Sequence, residues 1–448
     1  MANIEEKRKL ARELLQKKKA QSAQQREKQF SDYKSFSYDM FMQSMGRDPV
    51  EIDRFGQWVQ SACSDGVYAF ESARTTAQKA EVDLVRETGE QLHLLNFSSY
   101  NYLGLSYHPD VIKAAQDAIA KFGIGAASSP VISGTYSIHK ELEERIVRFF
   151  GLPDRRASLF SSGYGVNLGV IQAFIKPGGH VVLDQSAHMS LLEGAKLSGA
   201  DISYFRHNDM EHLEEILSEV CDRHTRVLVC AEGVYSGEGD YGNVREIVQL
   251  AKKHGAFTLV DEAHSALVAG ENGRGVCEQQ GVLEDVDLYV MTFSKAFGGV
   301  GGALLARPEV CQYVNWYAKC RMFSCALDPG VTAGMAKVLE LASGPEGRVR
   351  RQRLIENADY LRSKLEGQVD LGLSRSWIVT VIYGSDKLGL NLNDFLQRRG
   401  LDTSLMQFPA VPKNEARIRM FVTSEHSREQ LDRAAELLAE AKREFNFI

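Results

Sequence analysis

The sequence predicts an α/β protein: a large, mainly parallel sheet with helices on both faces, followed by a smaller α+β domain. Three observations predict it. From about Leu94, short apolar runs alternate with longer amphipathic stretches, the texture of strand–helix–strand units. Three of the four clearest helical stretches end in glycine, a common helix stop. After about Ala326 the alternation gives way to a long helical region, a few strands and a last helix. The chain has 448 residues, 44% hydrophobic and 25% charged, an ordinary globular composition with room for two or three domains.

The elements follow in chain order. The opening "MANIEEKRKLARELLQKKKAQSAQQREKQF" lacks Gly and Pro and is rich in helix formers. It predicts a basic helix, either solvated or docking on a partner, at the head of an N-terminal helical extension and arm spanning 1–93. The runs "ASLFSSGYG", "HVVLD", "RVLVCAEG", "AFTLVDEAH", "DLYVMTFSK" and "GGALLA" predict strands of a ligand-binding domain over 94–330. Between and before them "VIKAAQDAIAKFG", "KELEERIVRFFG", "MEHLEEILSEVCDRH" and "VREIVQLAKKHG" carry helical spacing. In the smaller domain, 331–448, helical "GVTAGMAKVLELA" and "NADYLRSKLEG" precede "WIVTVIYG", "DTSLMQFP" and "ARIRMFV", and "SREQLDRAAELLAEAKREF" closes the chain as a helix.

Composition removes several classes. A net charge of −6 argues against a general nucleic-acid binder. The first thirty residues are too polar for a signal peptide, and no run of about 18 apolar residues exists to span a membrane. Seven scattered cysteines, an odd number with no CxxC pair, point to a reducing, cytoplasmic compartment with no disulfide framework and no zinc site.

Ligands of parallel sheets bind beyond the carboxyl ends of strands. Asp261 and His264 in "DEAHS", Lys295 in "TFSKAFGG" and the "SSGYG" loop all fall at such ends. A lysine that makes a Schiff base needs a carbonyl partner and a lowered pKa. Pyridoxal phosphate supplies the aldehyde, and each of its other groups asks for its own residue. Its ring nitrogen wants a carboxylate, for which Asp261 is the candidate; its phenolic oxygen wants a donor, and His264 stands three residues on. Its phosphate wants amides at a helix N-terminus and hydroxyls, which Gly163, Tyr164 and Thr292 offer. His188, after "HVVLD", is a candidate to cover the ring face. Each signal alone is ordinary, since an acid at a strand end is more often a cap. The ordered set is what points to one cofactor site. In "ARIRMFV", period-2 alternation places Arg417 and Arg419 on one face of a strand, and an arginine face can clamp a carboxylate.

The motifs "NFSSYNYLGLSYHP", "SGTYSIHKELEE", "FSSGYGVN", "HND", "DEAHS", "TFSKAFGG", "FPAVPKNEARIRM" and "SEHSREQLDRA" occur in an order that resembles the α-oxoamine synthase family of fold type I pyridoxal-phosphate enzymes. The resemblance runs from about Leu94 to Leu438. It implies a condensation of a small amino acid with an acyl thioester, loss of carbon dioxide and thiol, and release of an α-amino ketone. It implies Lys295 as the cofactor-bearing lysine, Asp261 and His264 as partners of ring nitrogen and phenolic oxygen, and His188 as the stacking histidine. It further implies Thr292 as a phosphate ligand, Ser324 as a phosphate contact reaching across from a neighbouring subunit, and Arg419 and Asn101 as substrate contacts. A homodimer with shared active sites follows from it, with no metal.

The chain also departs from the family pattern. Pro130, in "SSPVISG", stands where members that bind a succinyl carboxylate carry arginine, so succinyl-CoA is not expected. Cys325 replaces a hydroxyl or amide residue, and "YSGEGD" replaces a more usual "FSMDGD". With the long N-terminal region these changes suggest a specialised member, one possibility being an acyl carrier protein as donor. The rival readings are another fold type I activity, an aminotransferase or amino-acid decarboxylase, and a non-catalytic partner subunit, which would lack Lys295.

Overall fold

The computed structural model describes residues 51–224, 226–408 and 410–447. The expected N-terminal basic helix lies outside the described residues. Seven strands form the central sheet, in the order Arg156–Phe160, Gly302–Ala306, Leu288–Thr292, Phe257–Asp261, Val227–Glu232, His180–Asp184, Asp201–Phe205. Gly302–Ala306 runs antiparallel to both its neighbours, and the remaining pairs are parallel. Four of these strands are buried along their whole length, because helices cover both faces of the sheet. The pleat sorts their side chains. Leu288, Val290 and Leu304 pack beneath the helix Gly163–Phe174, whereas Tyr289, Met291 and Leu305 enter the larger core on the opposite face.

Local signals set the helix ends. Ser162 caps Gly163–Phe174 by accepting from the Gly165 amide, and Ser427 and Gln430 form a capping box on Arg428–Phe445. Gly151 and Gly255 end their helices in the left-handed conformation, as the glycine punctuation predicts. A three-stranded antiparallel sheet, Ile378–Gly384, Ala416–Phe421, Ser404–Met406, lies in the C-terminal third with the helices Pro345–Leu365 and Arg428–Phe445.

Three features differ from the expectation. The helix Met189–Ser198 and the strand Asp201–Phe205 carry weak patterns, since one is short and the other is a partly exposed sheet edge. The described part of the N-terminal arm is only partly helical. It holds Glu51–Ser64 and then a hairpin, Glu81–Val85 with Gln91–Asn96. The second hairpin strand pairs in parallel with Leu401–Asp402, which ties the arm to the C-terminal third.

Glu262 pins the loop that leaves the Phe257–Asp261 strand. Its fully buried carboxylate accepts from the Val276 amide at 2.9 Å, from the Cys277 amide at 2.7 Å, and from the Ser265 hydroxyl. Glu262→Ala strands both amides in a dry site. The expected loss is about 2–4 kcal/mol of stability, read as a lower urea midpoint at unchanged slope. Glu262→Gln, which keeps one acceptor oxygen, should lose clearly less.

Candidate active site

A cleft of about 1110 Å³ opens at the carboxyl ends of the parallel strands. Asp261, His264, Thr292 and Lys295 line it, with Gly163, Tyr164 and His188 from the preceding units and Arg419 from the small sheet. Sequence order therefore becomes spatial convergence: strand after strand delivers one functional side chain to the same hollow.

Asp261 ends its strand with a buried carboxylate. It accepts from the Asn167 side-chain amide at 2.6 Å and from the Ala263 backbone amide at 2.9 Å. Among the described residues no cation is bonded to it. Its register partner on the next strand is Glu232, whose carboxyl accepts from the His188 amide at 2.5 Å. Burial, and then the Asp261 charge beside it, push Glu232 well above the usual carboxylate range. Of the pair, Glu232 is therefore the acid whose ionisation the site resists.

Lys295 stands three residues past the end of Leu288–Thr292. Burial lowers its amine to about 8, against the pull of Asp261 and Glu232. Its Nζ lies 2.7 Å from His264 Nε2, and His264 Nδ1 lies 2.7 Å from the buried Tyr102 hydroxyl. Burial and the neighbouring Lys295 depress the His264 pKa far below its ordinary value, so the ring is neutral. A neutral imidazole has one N–H and one lone pair. Facing an ammonium, Nε2 must accept, and Nδ1–H is then donated to Tyr102. His188 caps Met189–Ser198, with Nδ1 bonded to Ser190 Oγ at 2.7 Å, and meets the Tyr164 ring edge-to-face at 6.0 Å.

The start of the helix Gly163–Phe174 faces Thr292. A Cβ on Gly163 would stand 2.0 Å from Thr292 Oγ1, so only glycine fits this approach. Thr292 Oγ1 also lies 2.9 Å from Ser294 Oγ. Helix amides and two hydroxyls thus gather at one end of the cleft, an arrangement that suits an anion. Ser324 is near this end but not in the cleft lining: its Oγ lies 3.5 Å from Ser161 Oγ of the same chain.

The two arginines of Ala416–Phe421 have different surroundings. Arg417 is fully buried and paired with Glu238 and, at 3.1 Å, Glu415. Arg419 donates to the Ser236 carbonyl and to Ser404 Oγ, both at 3.2 Å. Its Nε is buried without a partner, and among the described residues no carboxylate pairs with it. Asn101 is not brought to this cleft. Its amide donates to the Gln78 carbonyl at 3.0 Å and accepts from the Ser106 amide at 3.3 Å, and it does not line the cleft. Its neighbour Tyr100 does, 5.9 Å from Lys295 Nζ. Sequence reasoning also passed over Asn167, Glu232 and Ser294. Asn167 left a signal, as the one amide side chain in the first two turns of a strongly apolar helix.

The family model for class I and II aminotransferases matches residues 93–438. The 8-amino-7-oxononanoate synthase of Thermoanaerobacter pseudethanolicus is 36% identical over 356 residues, covering 79% of this chain and 89% of that protein. The enzyme of that name from Salmonella choleraesuis is 38% identical over 345 residues, 77% and 88% of the two chains. A serine palmitoyltransferase structure from S. paucimobilis, with PLP in its bound ligand, superposes with a TM-score of 0.83 at 31% identity, over 89% of this chain and 99% of that one. The chain belongs to the class I and II aminotransferase family, with the fold type I architecture. Within it, the relatives place it in the α-oxoamine synthase family.

His207, which also lines the cleft, is clamped by Asp184 at 2.9 Å and Asp240 at 3.0 Å. Burial opposes its charge, but the two carboxylates outweigh burial and raise its pKa to about 10. The stability this pairing contributes is complete below the ordinary imidazole pKa of about 6.5 and is lost as pH rises through the folded value. His207→Gln should therefore lower the melting temperature most near pH 6, with the deficit shrinking toward about pH 10. A deficit that is flat across that range would contradict the clamp.

Proposed function

We propose that this chain is a pyridoxal-phosphate-dependent acyltransferase that joins a small amino acid to an acyl thioester, with release of carbon dioxide and thiol, to give an α-amino ketone. The observation that carries the reading is the convergence of Lys295, Asp261 and His264, all buried side chains at strand ends, in one cleft beside a helix N-terminus.

The cleft's residues fit the cofactor. Asp261 is a buried carboxyl group with no cation bonded to it among the described residues, which suits a protonated ring nitrogen. Gly163, with no room for a Cβ, leaves the helix amides open beside Thr292 and Ser294 for a phosphate. Lys295 would hold the aldehyde carbon, His264 would face the phenolic oxygen and His188 the ring. When bound, the cofactor supplies the carbonyl that captures the amino group and the electron sink for the α-carbon.

The chain's own groups supply the rest. With a pKa of about 8, Lys295 Nζ can take a proton from carbon and return it near neutral pH. Neutral His264 accepts a hydrogen bond from that amine and keeps it aimed. Arg419, held by Ser236 and Ser404, lines the cleft with no carboxylate paired to it among the described residues, and its guanidinium suits the substrate carboxylate. An apolar arm of the cleft, lined by Leu373, Ile382, Met406, Phe408 and Val411, suits an acyl chain. The donor is a thioester of coenzyme A or of an acyl carrier protein, and the amino acid is glycine, alanine or serine.

We further propose a homodimer that closes over the cleft. Tyr164 and Met189 line it and are 44% and 46% exposed, while Phe323, beside Ser324, is 82% exposed, an apolar rim that a second copy would bury. Seven free cysteines support a cytoplasmic setting, and among the described residues no helix is long and apolar enough to cross a membrane.

Thiol release measured with a thiol-reactive dye tests the reaction. Cofactor-loaded protein, mixed with glycine, alanine or serine and acyl-CoAs from acetyl to palmitoyl, should release thiol with one preferred pair. Release with a carrier-bound acyl group alone would identify that donor. No release from any thioester, with transamination of an amino acid instead, would overturn the condensation. Lys295→Ala should abolish release, and wild-type rates in that variant would remove the lysine from the reaction. Arg419→Lys keeps the charge but loses the fork; the amino-acid KM should rise roughly tenfold or more, with the KM for the thioester changing far less.

A further inference from the structure

The amino-terminal end of the central sheet, opposite the cleft, carries a side-chain cluster that this chemistry does not use. His180 opens the strand His180–Asp184, Asp201 opens the neighbouring strand Asp201–Phe205, and His224 lies in the turn before Val227–Glu232. His180 and Asp201 are direct register partners. The cleft lies at the other ends of these strands, about 16 Å away along five residues.

His180 Nδ1 and His224 Nε2 face each other at 3.3 Å, and His224 Nε2 lies 3.9 Å from Asp201 Oδ2. One ligand atom from each residue fits within a 4.8 Å span. Tetrahedral zinc, with bonds of about 2.0–2.1 Å, holds its ligand atoms about 3.3 Å apart. The two histidine nitrogens are already at that separation, and the exposed Asp201 needs only a small rotation to join them.

The outer nitrogens support the same reading. His224 Nδ1 lies 3.4 Å from the Gly178 carbonyl, which can only accept. His224 therefore carries its proton on Nδ1 and turns the Nε2 lone pair inward. His180 Nδ1 donates to that lone pair in the ion-free chain, and because Ser203 Oγ, 2.9 Å from His180 Nε2, can accept as well, the proton can move to Nε2 and free the Nδ1 lone pair for an ion. Metal-bound imidazoles use this arrangement: the outer N–H on an oxygen, the inner nitrogen on the ion. His180 is buried, while Asp201 is 72% exposed and leaves the site open to an ion and to water.

We propose that His180, His224 and Asp201 form a binding site for a zinc-class divalent cation, with water in the fourth position, that clips together the starts of three adjacent strands. Two imidazoles and one carboxylate favour zinc or cobalt over magnesium or calcium, which prefer all-oxygen shells. The sequence reading expected no zinc site because no cysteines are paired. This site contains no cysteine, and its two histidines are 44 residues apart in sequence, beyond any local spacing motif.

The test uses the full-length, cofactor-loaded protein, freed of metal by a chelator and then dialysed. Zinc titrated by calorimetry should bind at one site per chain with micromolar or tighter affinity. Cobalt should give the intense visible bands of a four-coordinate ion, bleached by zinc. The melting temperature should rise with zinc, because the ion binds the folded chain. His224→Gln and Asp201→Asn, both outside the packed core, should weaken zinc at least tenfold and abolish the cobalt bands and the thermal shift. Metal-free turnover should be unchanged in both. No zinc binding in the wild-type protein overturns the proposal. So does binding that survives both substitutions, which would place the ion on His188, His264 or the cofactor.

Discussion

The cleft depends on one electrostatic balance: a lysine and a carboxylate buried together, neither wholly satisfied by the other. Taken out of water, an amine loses its proton more readily and a carboxyl holds its own more tightly. Lys295 is shifted this way to about 8, and Asp261 and Glu232 limit the fall. A full ion pair would hold the amine charged and idle. An apolar site without the acids would leave it neutral at all working pH. The structure sits between these, and the surrounding residues hold that intermediate position.

Glu232 shows how the balance is kept. Two carboxylates in register on adjacent parallel strands cannot both ionise cheaply in a buried site. Burial and the neighbouring Asp261 make Glu232 the acid that resists ionisation. Asn167 then fixes the position of the other acid, Asp261. Its amide donates to Asp261, while its own carbonyl is buried without a partner. The arrangement reaches across three units of the fold: the helix after the first strand, a strand at the centre of the sheet, and the one beside it.

The residues legible in the sequence share a property. Lys295, Asp261, His264, His188 and Thr292 each lie at or just beyond the carboxyl end of an apolar run, where strand–helix alternation already says that a parallel sheet presents its ligands. The alternation itself survives because buried parallel strands read as continuous apolar runs. What was not legible depends on packing across distance. Glu232 carries the same signal as Asp261, an acid at a strand end, but only register shows that the two are neighbours. Tyr100, Tyr102 and Asn101 lie in a stretch without periodicity, so sequence could not say which of the three faces the cleft. The hairpin at Glu81–Asn96 was hidden because its parallel partner, Leu401–Asp402, is about three hundred residues away and only two residues long.

Arg417 and Arg419 bring out the same point in energetic terms. They share one face of one strand, and nothing in "ARIRMFV" separates them. The neighbours decide. Glu238 and Glu415 close around Arg417, which is then a buried ion pair whose loss would leave an uncompensated charge. Arg419 meets a backbone carbonyl, its register partner Ser404 and the face of the Phe421 ring, and among the described residues no carboxylate. A guanidinium left short of acceptors in a buried cleft costs stability, and the rest of the fold must offset that cost. Such a group is most stable when an anion arrives. The deficit that makes Arg419 a poor structural residue is what makes it a ready partner for a substrate carboxylate. The same logic applies to Asp261, a buried carboxyl group that meets only neutral donors, the Asn167 and Ala263 amides, among the described residues.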